Sequence, residues 1–147
     1  MHEYEMVQSV FDEIRRLHNR LRWLGDNAHP NLGLSAVKRS LLLSLHREGA
    51  QRVPELAKER LVSRQIIQTQ INDLISSGLV KSTPNPKNQR SSLIELTPKG
   101  NQVLRQMEDR EQEILQESGL PMKPEELETV FLGLQRIRLH LEKLKLS

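Results

Sequence analysis

The stretch that decides the fold runs from Val62 to Thr97 and reads VSRQIIQTQINDLISSGLVKSTPNPKNQRSSLIELT. Ser63 is a good N-cap, because a serine hydroxyl accepts a hydrogen bond from a free N–H of the first helical turn. Aliphatic residues then recur three and four positions apart, which predicts one buried helical stripe of Ile67, Ile71, Leu74 and Ile75. Gly78 follows the last turn, where glycine readily ends a helix. The stretch therefore opens with a helix that begins after Ser63 and ends before Gly78.

The second half of the stretch predicts a two-stranded hairpin with a basic tip. Leu79-Val80 and Leu93 to Leu96 have the aliphatic composition of short strands. The segment between them holds residues that favour turns, namely Pro84, Asn85, Pro86 and Asn88. Lys87 and Arg90 project from this loop, so the tip of the hairpin is positively charged.

The side of the helix opposite the aliphatic stripe carries side chains that suit the edges of DNA bases. Arginine pairs with guanine, glutamine and asparagine pair with adenine, and threonine contacts the thymine methyl group. The DNA-binding residues predicted on this helix are Ser63, Arg64, Gln65, Gln68, Thr69 and Asn72. Those predicted on the hairpin are Lys87, Asn88 and Arg90, with Arg90 entering the minor groove because of the negative potential there.

A helix that can enter a major groove, followed at once by a hairpin with an arginine, is the plan of a winged helix. Five short runs also resemble the MarR family of bacterial transcription regulators in their order and spacing. They are Glu55-Leu56-Ala57, Val62-Ser63-Arg64-Gln65, Gly78-Leu79-Val80, the wing core from Asn85-Pro86 to Ser91, and Leu96-Thr97-Pro98-Lys99-Gly100. The resemblance implies a winged helix-turn-helix fold and a homodimer interface in which the first helix joins the last two. It also implies a small-molecule effector, often an anionic aromatic, bound between the dimer helices and the reading domain.

Three positions depart from the pattern of that family. Leu61 stands where the helix-turn-helix usually has glycine, and a positive φ disfavours leucine, so we expect a turn that is shifted by one residue or differently shaped. Asp73 stands where relatives often have a basic residue, and it repels phosphate unless it pairs with an arginine of its own chain. Asn88 replaces an aspartate that orients the arginine of the wing. Asn88 can accept a hydrogen bond from a guanidinium but offers no ion pair, so we expect Arg90 to be less fixed before DNA binds.

Length and composition favour a small helical protein. A chain of 147 residues suits one domain with appended helices, and aromatic residues make up only 3%, so the core must be built from Leu, Ile and Val. We predict a mainly α fold with a small two-stranded β wing. The winged helix-turn-helix domain is predicted over residues 34–100, and residues 1–33 and 101–147 are predicted to form a helical dimerisation region.

Two long helices with narrow aliphatic stripes are predicted at the ends of the chain, over 3–24 and 125–146, and the first is followed by a turn-rich break from Gly25 to Gly33. Stripes of this near-heptad kind suit a seam between helices. The alternative is that they pack on the core of their own domain. The predicted dimer interface comprises Val7, Val10, Phe11, Ile14, Leu17, Leu127, Val130, Leu134, Ile137, Leu141 and Leu144. A two-fold dimer predicts a pseudo-palindromic site whose half-sites lie about 34–36 Å apart.

The positive charge is concentrated on the segment proposed to read DNA. Residues 60–100 hold six Lys or Arg against two acidic residues, a net charge of +4, so the rest of the chain carries −1 of the overall +3. Phosphate binding requires such an excess, although solvated cations are also ordinary on any protein surface.

Other chemistry finds little support in the sequence. The absence of cysteine excludes disulfides, thiolate metal sites and cysteine redox sensing. The five histidines have no i, i+4 ligand spacing, there is no glycine-rich phosphate loop, and no nucleophile pairs with a base, so we expect neither an enzyme nor a cofactor or metal. Neither a signal pattern nor a membrane-length apolar run occurs, so we expect a soluble cytoplasmic protein without a membrane partner.

Two function classes follow from the sequence. The first is a dimeric regulator of transcription that binds double-stranded DNA, acts as a repressor and responds to a small ligand. The second is a protein-interaction module on a winged-helix scaffold that has lost DNA binding, a class favoured by Leu61, Asp73 and Asn88. Salt-dependent binding to duplex DNA separates the two classes.

Overall fold

The computed structural model describes residues 2–147, which form six helices and one antiparallel sheet of two strands. In chain order these are α1 Glu3–Asn27, α2 Ala36–Glu48, α3 Val53–Arg60, α4 Arg64–Ser76, β1 Val80–Thr83, β2 Leu93–Leu96, α5 Pro98–Ser118 and α6 Pro124–Glu142. The predicted fold class is confirmed.

The chain divides into two compact units, one that extends to Gln112 and one from Glu113 to Ser147. None of the helices in residues 2–147 combines the length and the apolar character needed to cross a membrane.

A single aliphatic core holds the first unit together. Helices α2, α3, α4 and α5 and both strands contribute to it, and its fully buried members include Leu41, Leu42, Leu56, Ile67, Ile71, Leu74, Val80, Leu104 and Met107. The stripe predicted for α4 is therefore correct except at Ile75, which is 39% exposed. Ile75 lies about 80° around the helix from Ile67, at the edge of the buried face.

The wing is tied to the helix-turn-helix by backbone hydrogen bonds. Strands β1 and β2 pair from Val80 opposite Leu96 to Thr83 opposite Leu93. Gln51, in the connection between α2 and α3, adds a bridge to Ile94: its N–H donates to the Ile94 carbonyl at 3.0 Å and its carbonyl accepts from the Ile94 N–H at 2.7 Å. The strand that returns from the wing is thus anchored on both edges.

The break predicted from Gly25 to Gly33 begins three residues later than expected, because α1 continues through Gly25 to Asn27. Gly25 is buried, and a Cβ built on it would lie 2.7 Å from the Cβ of Ala36, at the start of α2. The carboxylate of Asp26 accepts a hydrogen bond from the Ala36 N–H at 2.7 Å. Glycine is therefore needed here for the close approach of two helices, and it does not end the first one.

The second unit contains α6, which is shorter than predicted. The helix begins at Pro124, and the Lys123 N–H donates to the carboxylate of Glu126 at 3.0 Å, which satisfies a donor of the first turn. It ends at Glu142 instead of residue 146, so Leu144 lies outside the helical stripe in which it was predicted. No residue of α6 is buried.

One buried histidine contacts an ion pair within the first unit. His29 follows α1, and its Nε2 lies 3.2 Å from a carboxylate oxygen of Glu111 in α5. The same carboxylate receives two hydrogen bonds from the guanidinium of Arg39 in α2. These contacts link α2, α5 and the segment that follows α1. Among residues 2–147, no group of three or more His, Asp or Glu is arranged to hold a metal ion.

Candidate nucleic-acid interface

The helix-turn-helix consists of α3, a short turn and α4. The turn is built on Leu61, which has φ 54° and ψ 38° in the left-handed region. Its N–H donates to the Lys58 carbonyl at 3.2 Å, and the Val62 N–H donates to the Ala57 carbonyl at 3.2 Å, so the end of α3 is closed as a glycine would close it. The prediction of a shifted turn is wrong: the turn is kept, and the backbone of Leu61 carries the strain.

Leu61→Gly is expected to raise the free energy of unfolding by about 0.5–1 kcal/mol. Removing the Cβ relieves a left-handed strain of about 1–2 kcal/mol, and the more flexible unfolded chain takes back about 0.4–1 kcal/mol. Little burial is lost, because Leu61 is 92% exposed. Denaturant unfolding measures the change. Leu61→Ala is the matched control, since it keeps the Cβ; an equal gain in that variant would show that the backbone is not the cause.

Helix α4 presents the predicted reading residues to solvent. Its N-cap is Ser63, whose hydroxyl accepts a hydrogen bond from the Ile66 N–H at 3.2 Å. All six side chains predicted to contact DNA are exposed, and they are Ser63, Arg64, Gln65, Gln68, Thr69 and Asn72. The opposite face of the helix is buried in the core. The helix is therefore held by its aliphatic side, which leaves its polar edge free to enter a groove.

Two pairs of residues on this edge are already hydrogen-bonded. The amide of Gln68 donates to the Oδ1 of Asn72 at 2.9 Å, and the hydroxyl of Thr69 donates to the carbonyl of Gln65 at 3.0 Å. The first bond fixes the side-chain amides of Gln68 and Asn72 with respect to each other in the absence of DNA. The second leaves the methyl group of Thr69 as the part of that side chain without a hydrogen-bond partner.

The loop of the wing is shaped by two asparagine side chains. The Oδ1 of Asn85 accepts from the Lys87 N–H at 3.0 Å, and the Oδ1 of Asn88 accepts from the Arg90 N–H at 3.0 Å. These are Asx turns, in which the side chain takes the place of a backbone acceptor. Asn88 therefore fixes the backbone that carries Arg90 and does not hold its guanidinium. All three predicted wing residues, Lys87, Asn88 and Arg90, are exposed.

Three of the six cations counted between residues 60 and 100 are engaged within the protein. Arg60 donates to the carbonyls of Leu56 and Ser40, and burial lowers its pKa from the ordinary value while neighbouring Glu59 opposes that shift. The ammonium of Lys81 lies 3.3 Å from the carboxylate of the cross-strand residue 95. The ammonium of residue 99 donates to the carbonyl of residue 77 at 2.9 Å.

The other three cations are Arg64, Lys87 and Arg90. Within residues 2–147, none of them forms an ion pair. All three are exposed, one at the start of α4 and two on the wing. Unpaired exposed guanidinium and ammonium groups are the ones that can replace the counterions of DNA. The structure thus reduces the cations proposed to contact DNA from six to three.

Asp73 is neutralised by a residue that the sequence did not indicate. Its carboxylate lies 3.4 Å from the ammonium of Lys38, in α2. The partner is a lysine and not the arginine named as a possible partner above. Lys38 and Asp73 are far apart in the chain and come together only because α2 packs on α4. The repulsion expected between Asp73 and phosphate is reduced accordingly.

The run Thr97 to Gly100 locks the wing onto α5. The hydroxyl of Thr97 donates to the carbonyl of Gly78 at 2.6 Å and accepts from the Gly100 N–H at 3.0 Å. The backbone N–H of Thr97 donates to the carbonyl of Leu79 at 3.1 Å. A Cβ on Gly100 would lie 2.0 Å from that carbonyl oxygen. One threonine thus caps α5 and holds the entrance of β1, and the glycine makes room for both.

The MarR family model matches residues 34–92. An uncharacterized protein of Mycobacterium bovis is 38% identical over 69 residues, which are 47% of this chain and 48% of that protein. The match therefore spans about half the length of this curated relative.

Solved structures share the fold over most of the chain. The transcriptional regulator BldR of Sulfolobus solfataricus covers 95% of this chain over 99% of its own, with a TM-score of 0.83 and 21% identity. A MarR variant from E. coli, crystallised with operator DNA, covers 93% of this chain over 99% of its own, with a TM-score of 0.71 and 20% identity.

A third structure concerns the regulation of DNA binding of BpsR of Bordetella bronchiseptica by 6-hydroxynicotinic acid. It covers 88% of this chain over 98% of its own, with a TM-score of 0.74 and 22% identity. The fold is that of the winged helix-turn-helix proteins, and residues 34–92 match the model of the MarR family.

Proposed function

We propose that this protein is a homodimeric repressor of transcription that binds a pseudo-palindromic site in double-stranded DNA and releases it in response to a small ligand. The observation that carries the proposal is the exposed polar edge of α4 beside a wing with unpaired cations. The edge supplies hydrogen-bonding groups for the major groove, and Arg64, Lys87 and Arg90 supply charge for phosphates and for the minor groove.

The three departures from the family pattern each have a local explanation that is compatible with DNA binding. The left-handed Leu61 preserves the turn that positions α4. Lys38 neutralises Asp73, and Asn88 fixes the backbone of the wing at Arg90. These observations weaken the case for a protein-interaction module, which rested on the same three residues.

The exposed aliphatic surface of α1 and α6 supports the homodimer. On α1, only Gly25 is buried, and Val7 and Leu17 are 40% and 49% exposed. On α6, Leu127 and Leu134 are 41% and 38% exposed. Aliphatic stripes of this length are rarely left in water by a monomer, and a second copy of the chain offers the matching surface. Two copies of α4 would then meet the two half-sites of one operator.

Support for a ligand comes from the structural similarity to BpsR, whose DNA binding is regulated by 6-hydroxynicotinic acid. The test is direct: the affinity of the full chain for its selected duplex is measured with and without a panel of small aromatic acids. An affinity that no member of the panel changes would count against an effector of that class.

Arg90→Ala tests the proposed function. We expect the affinity for duplex DNA to fall about a hundredfold at low salt, because a dimer loses two charged contacts. The slope of log K against log salt should become shallower by about 2, since each phosphate contact contributes about 0.9. Titration of a fluorescent duplex selected from a random pool, at four or more salt concentrations, measures both quantities.

Arg136→Ala is the matched control, because it removes the same charge from an exposed position of α6. It should leave the affinity and the slope near the wild-type values. No binding of the wild-type chain to any duplex at low salt would contradict the proposed function. A wild-type affinity and salt slope for Arg90→Ala would show only that Arg90 does not contact the DNA.

A further inference from the structure

An isoleucine stands exposed among the polar residues of α4. Ile66 is 53% exposed, whereas its neighbour Ile67 is completely buried. Ile66 lies three residues before Thr69, so the two side chains are neighbours on the helix surface. The Thr69 hydroxyl donates its hydrogen bond to the Gln65 carbonyl, so the methyl group of Thr69 is the part available for an apolar contact. Ile66 and Thr69 thus form a small apolar ridge in the first two turns of the helix.

The core does not account for this ridge. The face of α4 that packs on the core consists of Ile67, Ile71 and Leu74, and none of them has any exposed surface. No acidic residue occurs in the first turn of α4, and Arg64 adds a positive charge there. The surroundings of Ile66 therefore suit an anionic partner that places an apolar group within contact distance of α4. Thymine is the base that offers such a group in the major groove, its 5-methyl.

We propose that Ile66, together with the methyl group of Thr69, contacts thymine 5-methyl groups and makes thymine the preferred base opposite the first half of α4. This inference rests on the proposed DNA-binding function and adds the chemistry of one specificity contact. Burying one methyl group against an aliphatic side chain corresponds to an affinity change of about fourfold per half-site.

The experiment removes methyl groups one position at a time from the DNA. The full chain first selects its site from a random duplex pool. Each thymine of that site is then replaced by deoxyuridine, in both half-sites together, and the affinities of the wild type and of Ile66→Ala are measured. We expect one or two thymines at which the wild type loses about tenfold or more over the two half-sites. Ile66→Ala should lose most of the difference between the thymine and deoxyuridine forms at those positions, and the methyl group of Thr69 accounts for the remainder.

Ile75→Ala is the matched control, since Ile75 is 39% exposed on the same helix but near its C-terminal end. This variant should keep the full dependence on the methyl group, and circular dichroism checks that both variants are folded. Three results would overturn the inference: a selected site without thymine in its half-sites, deoxyuridine that binds as well as thymine everywhere, or equal methyl dependence in Ile66→Ala and the wild type. Failure of the wild type to bind any duplex would instead reject the proposed function, and the inference with it.

Discussion

Gly100→Ala is expected to lower the free energy of unfolding by about 2 kcal/mol, although alanine is the better helix former. The added Cβ would lie 2.0 Å from the carbonyl oxygen of Leu79 and 3.0 Å from its carbon. Both are backbone atoms, so either the first turn of α5 or the entrance of β1 must move. Overpacking of this kind costs about 1–3 kcal/mol, and loss of the hydrogen bond from Thr97 to Leu79 adds about 0.5–1.5 kcal/mol. The helix propensity of alanine returns about 1 kcal/mol.

Urea unfolding followed by circular dichroism measures the loss for Gly100→Ala. Gly133→Ala is the control, because within residues 2–147 a Cβ on Gly133 meets no atom within 4 Å. That variant should be at least as stable as the wild type. The wing should also be disturbed in Gly100→Ala. The affinity of this variant for duplex DNA should therefore fall even in the absence of denaturant. Wild-type stability would mean that the junction between β1 and α5 is more loosely packed than the structure shows.

Leu134→Glu is expected to raise the dissociation constant of the proposed homodimer about a hundredfold or more. The substitution occurs twice in a two-fold dimer, and each Leu side chain that is buried in an interface contributes about 1.5–3 kcal/mol. Leu134 lies in the middle of the α6 stripe and is 38% exposed in one chain. Sedimentation at micromolar concentration should give twice the 17.0 kDa chain mass for the wild type and the single mass for the variant.

Thr129→Glu adds the same charge to α6 on the side away from the stripe. Thr129 is exposed, and its hydroxyl donates to the Glu125 carbonyl, so the substitution should leave the mass of the dimer unchanged. DNA affinity should fall in Leu134→Glu and hold in Thr129→Glu, since one reading helix alone contacts half of the site. A dimeric mass for Leu134→Glu would show that α6 does not pair through this stripe.

Much of the winged helix-turn-helix domain could be predicted from local sequence patterns. The Ser63 cap and the spacing of Ile67, Ile71 and Leu74 predict α4, and the turn-rich segment between Val80 and Leu93 predicts the wing. These features depend on neighbours within one or two turns of the chain. The wrong predictions were also local. The interpretation of Gly25 as a helix end failed because the reason for that glycine lies in the packing of Ala36 against it.

The sequence by itself determined the class of fold, the polar edge of α4 and the basic tip of the wing, because helix caps, hydrophobic periodicity and turn residues act over short distances. Only the tertiary structure decided which charges are available and which turn is strained. Lys38 pairs with Asp73 and Arg60 turns inward because α2 and α3 pack together with α4. Leu61 holds a left-handed turn because the core on both sides of it fixes the crossing of two helices. Contacts between residues distant in the chain have no periodicity to reveal them, so they become visible only once the core has formed.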